Sequence, residues 1–191
     1  MSGNNQVRLD PTSLRGVAHP LRVRILGVLR LDGPATSTTL AERLGLSTGA
    51  TSYHLRQLAA YGFVVEETGR GVGRERWWRA VHKGTVLAQE TIQEAPAESE
   101  VYRRAVATTY SDNMERWLDE SQVLPREWWA GSTLSDWPLR LTAAEAAELR
   151  RELGALIERY RSHSAPDAPE GAELVWLQIQ LLPFVRRAEG G

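Results

Sequence analysis

Between Asp10 and Val81 the apolar positions follow four short helical patterns and then a hairpin pattern. Asp10 stands before Pro11 as an N-cap ahead of a proline at the first helical position, and His19-Pro20 repeats the arrangement, so two helices start there. The second carries Leu21, Ile25, Val28 and Leu29 at helical spacing, with Arg22, Arg24 and Arg30 elsewhere on its wheel. It stops at Gly33-Pro34. Leu40, Ala41 and Leu44, after the Thr/Ser run at 36–39, mark a third, short helix ending at Gly45. A fourth follows Leu46-Ser47 and runs from Thr48 to about Tyr61. Phe63-Val64-Val65 then opens a strand that continues to Thr68, with residues 75–81 as its returning partner. The glycine-punctuated turn between them carries Arg70 and Arg74.

The second half has its own pattern. A Gln/Glu/Ala-rich stretch containing Pro96 reads as a connector over 85–100. From Val101 onward, Ala105, Val106, Tyr110, Met114 and Trp117 recur at three and four residues, which predicts a long amphipathic helix. That helix either joins two copies of the chain or packs on its own. Residues 132–141 read as extended, and Thr142 with Glu145 forms a capping box opening a helix with Ala146, Leu149, Leu153 and Leu156 on one face. Residues 173–182 alternate as a strand, with Val175, Leu177, Ile179 and Leu181 on one side and Leu174, Trp176, Gln178 and Gln180 on the other.

Two short helices joined by a glycine-containing turn form a helix-turn-helix, whose second helix can enter a DNA major groove. With Leu55 as the buried centre of the helix at 48–61, Thr51, Leu58 and Ala59 fall on the same side. Gly49, Tyr53, Arg56 and Gln57 point away, while Ser52 and His54 flank the boundary. The outward face is small and polar near its start, then aromatic and cationic, a composition that lets backbone and side chains approach phosphates and base edges.

Charge sharpens this division. The 191 residues carry a net charge of −1, yet residues 1–84 hold twelve Lys+Arg against six Asp+Glu, and the remainder hold eleven against eighteen. A basic first half suits a polyanion, and the acidic second half does not. Both halves together have material for one domain and a smaller second one. There are no cysteines, which excludes disulfides and thiolate metal sites. No apolar run approaches the roughly 20 residues of a membrane helix, and the polar start MSGNNQVRLD lacks a secretion signal's apolar core, so a cytoplasmic location is the default expectation.

The strings HPLRVRILGVL, TTLAERLGLSTGATSYHLRQLAAYGFVVEE and GRGVGRERWWRAV resemble, in that order, the pre-motif helix, helix-turn-helix and wing of ArsR/SmtB-type bacterial regulators. The resemblance implies a winged helix-turn-helix over 10–84. The whole fold is then mainly α with β: that domain, the connector, and a C-terminal α+β extension over 101–191 made of the long helix, the capped helix and the C-terminal strand. It also implies double-stranded DNA as partner. Ser47, Thr48, Gly49, Ser52, Tyr53, His54 and Arg56 would contact DNA from the recognition helix, and Arg70, Arg74 and Arg76 from the wing. By the same resemblance the chain is a repressor acting as a homodimer on a pseudo-palindromic operator.

Metal-sensing members of that family use cysteines, or paired His and carboxylate residues on a late helix. Neither set occurs here: His19, His54, His82 and His163 each lack a second imidazole three or four residues away. No metal and no cofactor is therefore expected. Trp117, Trp128, Trp129, Trp137 and Trp176 all lie in the second half, where such rings suit a pocket for a small organic effector, a dimer interface, or simple core packing. The chain has no Gly-x-Ser-x-Gly, no phosphate-binding glycine loop ending in Lys-Ser/Thr and no His-Glu-x-x-His, so no enzyme is expected. The alternatives are a winged domain used only for protein contacts, without DNA binding, and a metal-responsive repressor.

Overall fold

Side-chain caps fix the helix starts of the N-terminal residues. In the computed structural model, which describes residues 5–68, 75–160 and 168–184, Asp10 and Ser13 form a reciprocal capping box at α1 (Pro11–Val17). The Ser13 amide donates to Asp10 Oδ1 at 2.6 Å and the Asp10 amide to Ser13 Oγ at 2.9 Å. His19 Nδ1 accepts from the Leu21 amide at 3.1 Å, opening α2 (Pro20–Leu31). Thr36 Oγ1 does the same for Thr39 at 3.2 Å, opening α3 (Ser37–Leu44). Gly45 ends α3 at φ 65°, a left-handed cap that favours glycine. Ser47 then caps α4 (Thr48–Ala60) through the Ala50 amide at 3.2 Å.

The hairpin forms from β3 (Val64–Glu67) and β4 (Trp77–Ala80), paired antiparallel with Val64 opposite Ala80 and Glu67 opposite Trp77. A two-residue strand, β2 (Ala35–Thr36), borders the other edge of β4, giving the order β2-β4-β3. Trp78, opposite Ala35, is buried beneath the helices, whereas Trp77 on the other face is half-buried. The core gathers one stripe from each helix: Leu14, Ile25, Leu40, Leu55 and Leu58 are fully enclosed, with Phe63 at 2% exposure. Burial of such side chains contributes roughly 1.5–3 kcal/mol each.

Residues 85–100, expected to be a connector, are instead structured. β5 (Gly84–Leu87) pairs in parallel with β1 (Gln6–Leu9), Leu9 opposite Leu87. A short α5 (Gln89–Glu94) follows, fastened by Thr91 Oγ1 donating to the Leu9 carbonyl at 2.7 Å. The long helix α6 begins at Pro96, not Val101, and runs to Ser121. Its first half packs on α2 and α1, burying Ser99 and Ala105, and ion pairs Arg15–Glu98 at 3.6 Å and Arg24–Asp112 at 3.4 Å lie along the contact. Arg30 of α2 donates to the His82 carbonyl at 2.9 Å and to Thr85 Oγ1 at 2.8 Å. These charge-assisted bonds tie the helix to the chain entering β5. Met114, Trp117 and Leu118, near the end of α6, are exposed.

The chain divides into two units, Met1–Val123 and Leu124–Gly191. In the second, a 3-10 turn (Arg126–Gly131) precedes α7 (Ala143–Glu158), whose Thr142/Glu145 capping box is present with both bonds. Residues 173–182, expected to be a strand, form none. Their alternation suits one, but a strand exists through its ladder, and among the described residues no segment pairs with them. None of the described residues of this unit is buried. No helix among the described residues is long and apolar enough to cross a membrane.

Candidate nucleic-acid interface

The two faces of α4 separate cleanly. Thr51, His54, Leu55 and Leu58 are buried, and Thr51 Oγ1 donates to the Ser47 carbonyl at 3.1 Å, so the hydroxyl carried into the packed inner face is satisfied. Ser47, Thr48, Gly49, Tyr53 and Arg56 are exposed, with Ser52 half-buried beside them. Tyr53 is 53% exposed. No acidic residue occupies the first turn, and a Cβ placed on Gly49 would meet nothing within 4 Å. The space beside Gly49 is therefore open, at the positive end of the helix dipole, where an anion is favoured. Arg56, about two turns further along, is exposed and has no ion-pair partner among the described residues.

His54 departs from expectation. Placed at the boundary of the contacting face by its position on the wheel, it is turned inward and only 8% exposed. Its ring lies 4.5 Å from that of His19, with Tyr53 edge-on at 5.2 Å on the other side. The two imidazoles, which look isolated at 35 positions apart in the sequence, meet because the start of α2 packs against α4. His54 Nδ1 and Arg22 Nε are buried without a hydrogen-bond partner among the described residues.

Burial, then the charge of Arg22, lowers the His19 pKa below the ordinary imidazole value; burial, then His19, then Arg22, does the same for His54. Arg22 is itself lowered by burial, with the Tyr61 and Tyr53 hydroxyls acting the other way. Both imidazoles are thus held neutral. A base with a depressed folded pKa leaves stability intact above its unfolded pKa of about 6.5 and loses it as pH falls from there toward the folded value. The urea midpoint is expected to drop between pH 7.5 and pH 5.5. A double variant His19→Asn, His54→Phe, which keeps a capping oxygen and removes both titrations, should flatten that dependence; an unchanged acid loss in the double variant would refute the assignment.

On the hairpin, Arg76 is exposed and lies 3.8 Å from the Glu66 carboxylate across the two strands. Both groups are solvated, so the pair is weak and leaves Arg76 available to a stronger anion. Arg70 and Arg74 lie outside the described residues. Among the described residues no group of three His, Asp or Glu side chains could hold a metal ion. Of the five tryptophans considered for an effector pocket, an interface or core packing, one lines a cleft. Trp128 lines an open cleft of about 660 Å3 with Arg159, Tyr160 and residues 169–173. Trp117, Trp129, Trp137 and Trp176 are each substantially exposed, at 38%, 60%, 73% and 49%.

Residues 17–67 match a family described as a helix-turn-helix domain. No curated protein sequence matches the chain. Among solved structures, the chain is similar to a double mutant of ZitR from Lactococcus lactis in apo form. The identity is 16% over 74% of this chain and 82% of that one, with a TM-score of 0.32. It is also similar to AbfR with a disulfide formed, at 18% identity over 53% of this chain and 66% of that one, with a TM-score of 0.29. At these scores neither structure bears on how this chain works. The matched helix-turn-helix ends at Glu67, so it includes the whole of α4 and the first strand of the hairpin.

Proposed function

We propose that the chain is a sequence-specific DNA-binding transcription regulator, a repressor acting as a homodimer on a pseudo-palindromic operator. One observation carries the reading: within a helix-turn-helix, the second helix buries one face completely and presents small, polar, aromatic and cationic residues on the other. Thr48 and Gly49 bring the helix start against phosphate, and Ser47 and Ser52 supply hydroxyls beside it. Tyr53 and Arg56 reach base edges, while Arg70, Arg74 and Arg76 of the hairpin take the flanking phosphates. His54 acts from behind, packing the helix against His19 rather than touching DNA. Two copies present two recognition helices to two half-sites, which is what a palindrome requires.

The test is fluorescence anisotropy with duplexes from the region upstream of the chain's own gene, across a series of salt concentrations. Binding should weaken steeply as salt rises, because each phosphate contact releases counterions. Arg56→Ala is expected to weaken it by roughly tenfold or more, and alanine at both Arg70 and Arg74 should also reduce the salt slope by about one per lost contact. No binding to any upstream duplex, or binding indifferent to salt, would overturn the reading in favour of a protein-interaction module.

A further inference from the structure

The unit over residues 124–191 has well-made parts, and none of its described residues is buried. α7 is sixteen residues long and closed by a complete capping box, yet every one of its apolar residues reaches solvent. An isolated helix of that length is marginal in water and draws its stability from packing. Residues 174–184 form a stretch with no charged side chain, carrying the alternation of a strand but no ladder. Val175 and Leu177 are each 64% exposed and Ile179 41%, while Leu174 and Trp176 on the opposite side are 50% and 49% exposed. An apolar, charge-free extended segment without a neighbour is a template for pairing with another chain.

The exposed area sets the scale of what must cover it. Trp129, Trp137, Tyr160, Trp176 and Phe184 are between 49% and 92% exposed. At roughly 150–250 Å2 for a full aromatic side chain, their open surface alone comes to about 500–900 Å2. The exposed leucines, isoleucines and valines of the same unit add to this. A stable interface takes about 800 Å2 from each partner. The summed apolar exposure of the unit is on that scale.

We infer that this unit is the dimerisation module, and that its occupant is the same unit of a second copy of the chain, with residues 173–182 of the two copies paired as antiparallel strands. A two-fold axis perpendicular to the strands places identical segments antiparallel, so each copy supplies the ladder the other lacks. Val175, Leu177 and Ile179 then form one continuous apolar face across both strands, and the two α7 helices are of the right length and apolar character to cover it. This deepens the homodimer reading above and rests on it for the identity of the partner.

The experiment uses the full chain. Light scattering after gel filtration should give a dimer for the native sequence, and the double variant Leu177→Lys, Ile179→Lys should raise the dissociation constant by roughly a hundredfold or more. Both positions are exposed in the single chain, so the variant should keep its helical circular dichroism. Because the chain has no cysteine, single cysteines placed in turn from Leu174 to Leu182 report pairing directly: at least one should give a disulfide-linked dimer under mild oxidation. A monomeric native chain, a double variant that dimerises like the native one, or no cross-link at any position would overturn the inference. Failure here with salt-sensitive operator binding intact leaves the regulator reading standing; a cross-linked dimer that binds no duplex leaves this inference standing and removes that reading.

Discussion

Leu55→Ala is expected to lower the unfolding free energy by about 3–5 kcal/mol and to remove duplex binding with it. Leu55 is fully enclosed at the middle of α4, packed in the same core as Leu14, Ile25, Leu40 and Phe63. Truncation there removes the transfer free energy of the lost methyl and methylene groups. It also leaves a cavity that helices pinned by side-chain caps at both α3 and α4 can close only partly. Urea unfolding should show a lower midpoint with an unchanged slope, since the surface exposed on unfolding is nearly the same. Arg56, the next residue, faces solvent. Arg56→Ala should leave the midpoint within about 0.5 kcal/mol of the native value while weakening DNA binding. Opposite outcomes at adjacent positions would separate the seat of the helix from its reading face; a stable Leu55→Ala protein would contradict the packing described.

Gly16→Val should also be strongly destabilising, for the opposite reason. Gly16 is buried in α1, and a Cβ there would lie 2.5 Å from Tyr61 Cγ, 2.6 Å from Tyr61 Cβ and 2.9 Å from Phe63 Cε2. Ordinarily the loss of a helical glycine would help by roughly 0.5–1 kcal/mol. Here the neighbours are the root of one ring and the edge of a buried one. Phe63 is 2% exposed, and the clash with the exposed Tyr61 is at its Cβ and Cγ, which no rotation of the ring removes, so relief requires moving the end of α4 or the start of β3. Overpacking of this kind costs about 1–3 kcal/mol, and the branched valine side chain should carry it to the upper end or beyond. Gly16→Ala should show a smaller loss of the same sign in thermal unfolding. A neutral or stabilised Gly16→Ala would mean that α1 sits further from Tyr61 than described.

The acid sensitivity of His19 and His54 belongs to the same seat. Both rings lie between α2 and α4, so protonating either one puts a second cation beside Arg22 in a half-buried site and acts on the helix that carries the reading face. Duplex binding that falls at acid pH is expected to fall together with the stability of the N-terminal unit.

Much of the N-terminal unit is legible in the sequence because its signals are local. Asp10-Pro11, His19-Pro20, Gly45 and Ser47 act on backbone groups within a few residues, so caps and helix limits follow from neighbours alone. The 3.6-residue period likewise separates Leu55 and Leu58 from Tyr53 and Arg56 without knowledge of what lies opposite. What the sequence could not show depends on partners far along the chain. β1 and β5 are four residues each and exist through one another across more than 70 positions, and neither has a pattern long enough to stand out. His54 sat at the boundary of the wheel, and only the packing of α2 against α4 turned it inward onto His19. Residues 173–182 make the converse case: their alternation states what kind of neighbour they need, yet a strand is a property of two segments, and one chain's sequence names only one of them. Periodicity and capping thus belong to the sequence, because they act over a turn of helix or less, whereas burial, strand pairing and the meeting of distant side chains belong to tertiary structure, because each requires a second element to be brought into place.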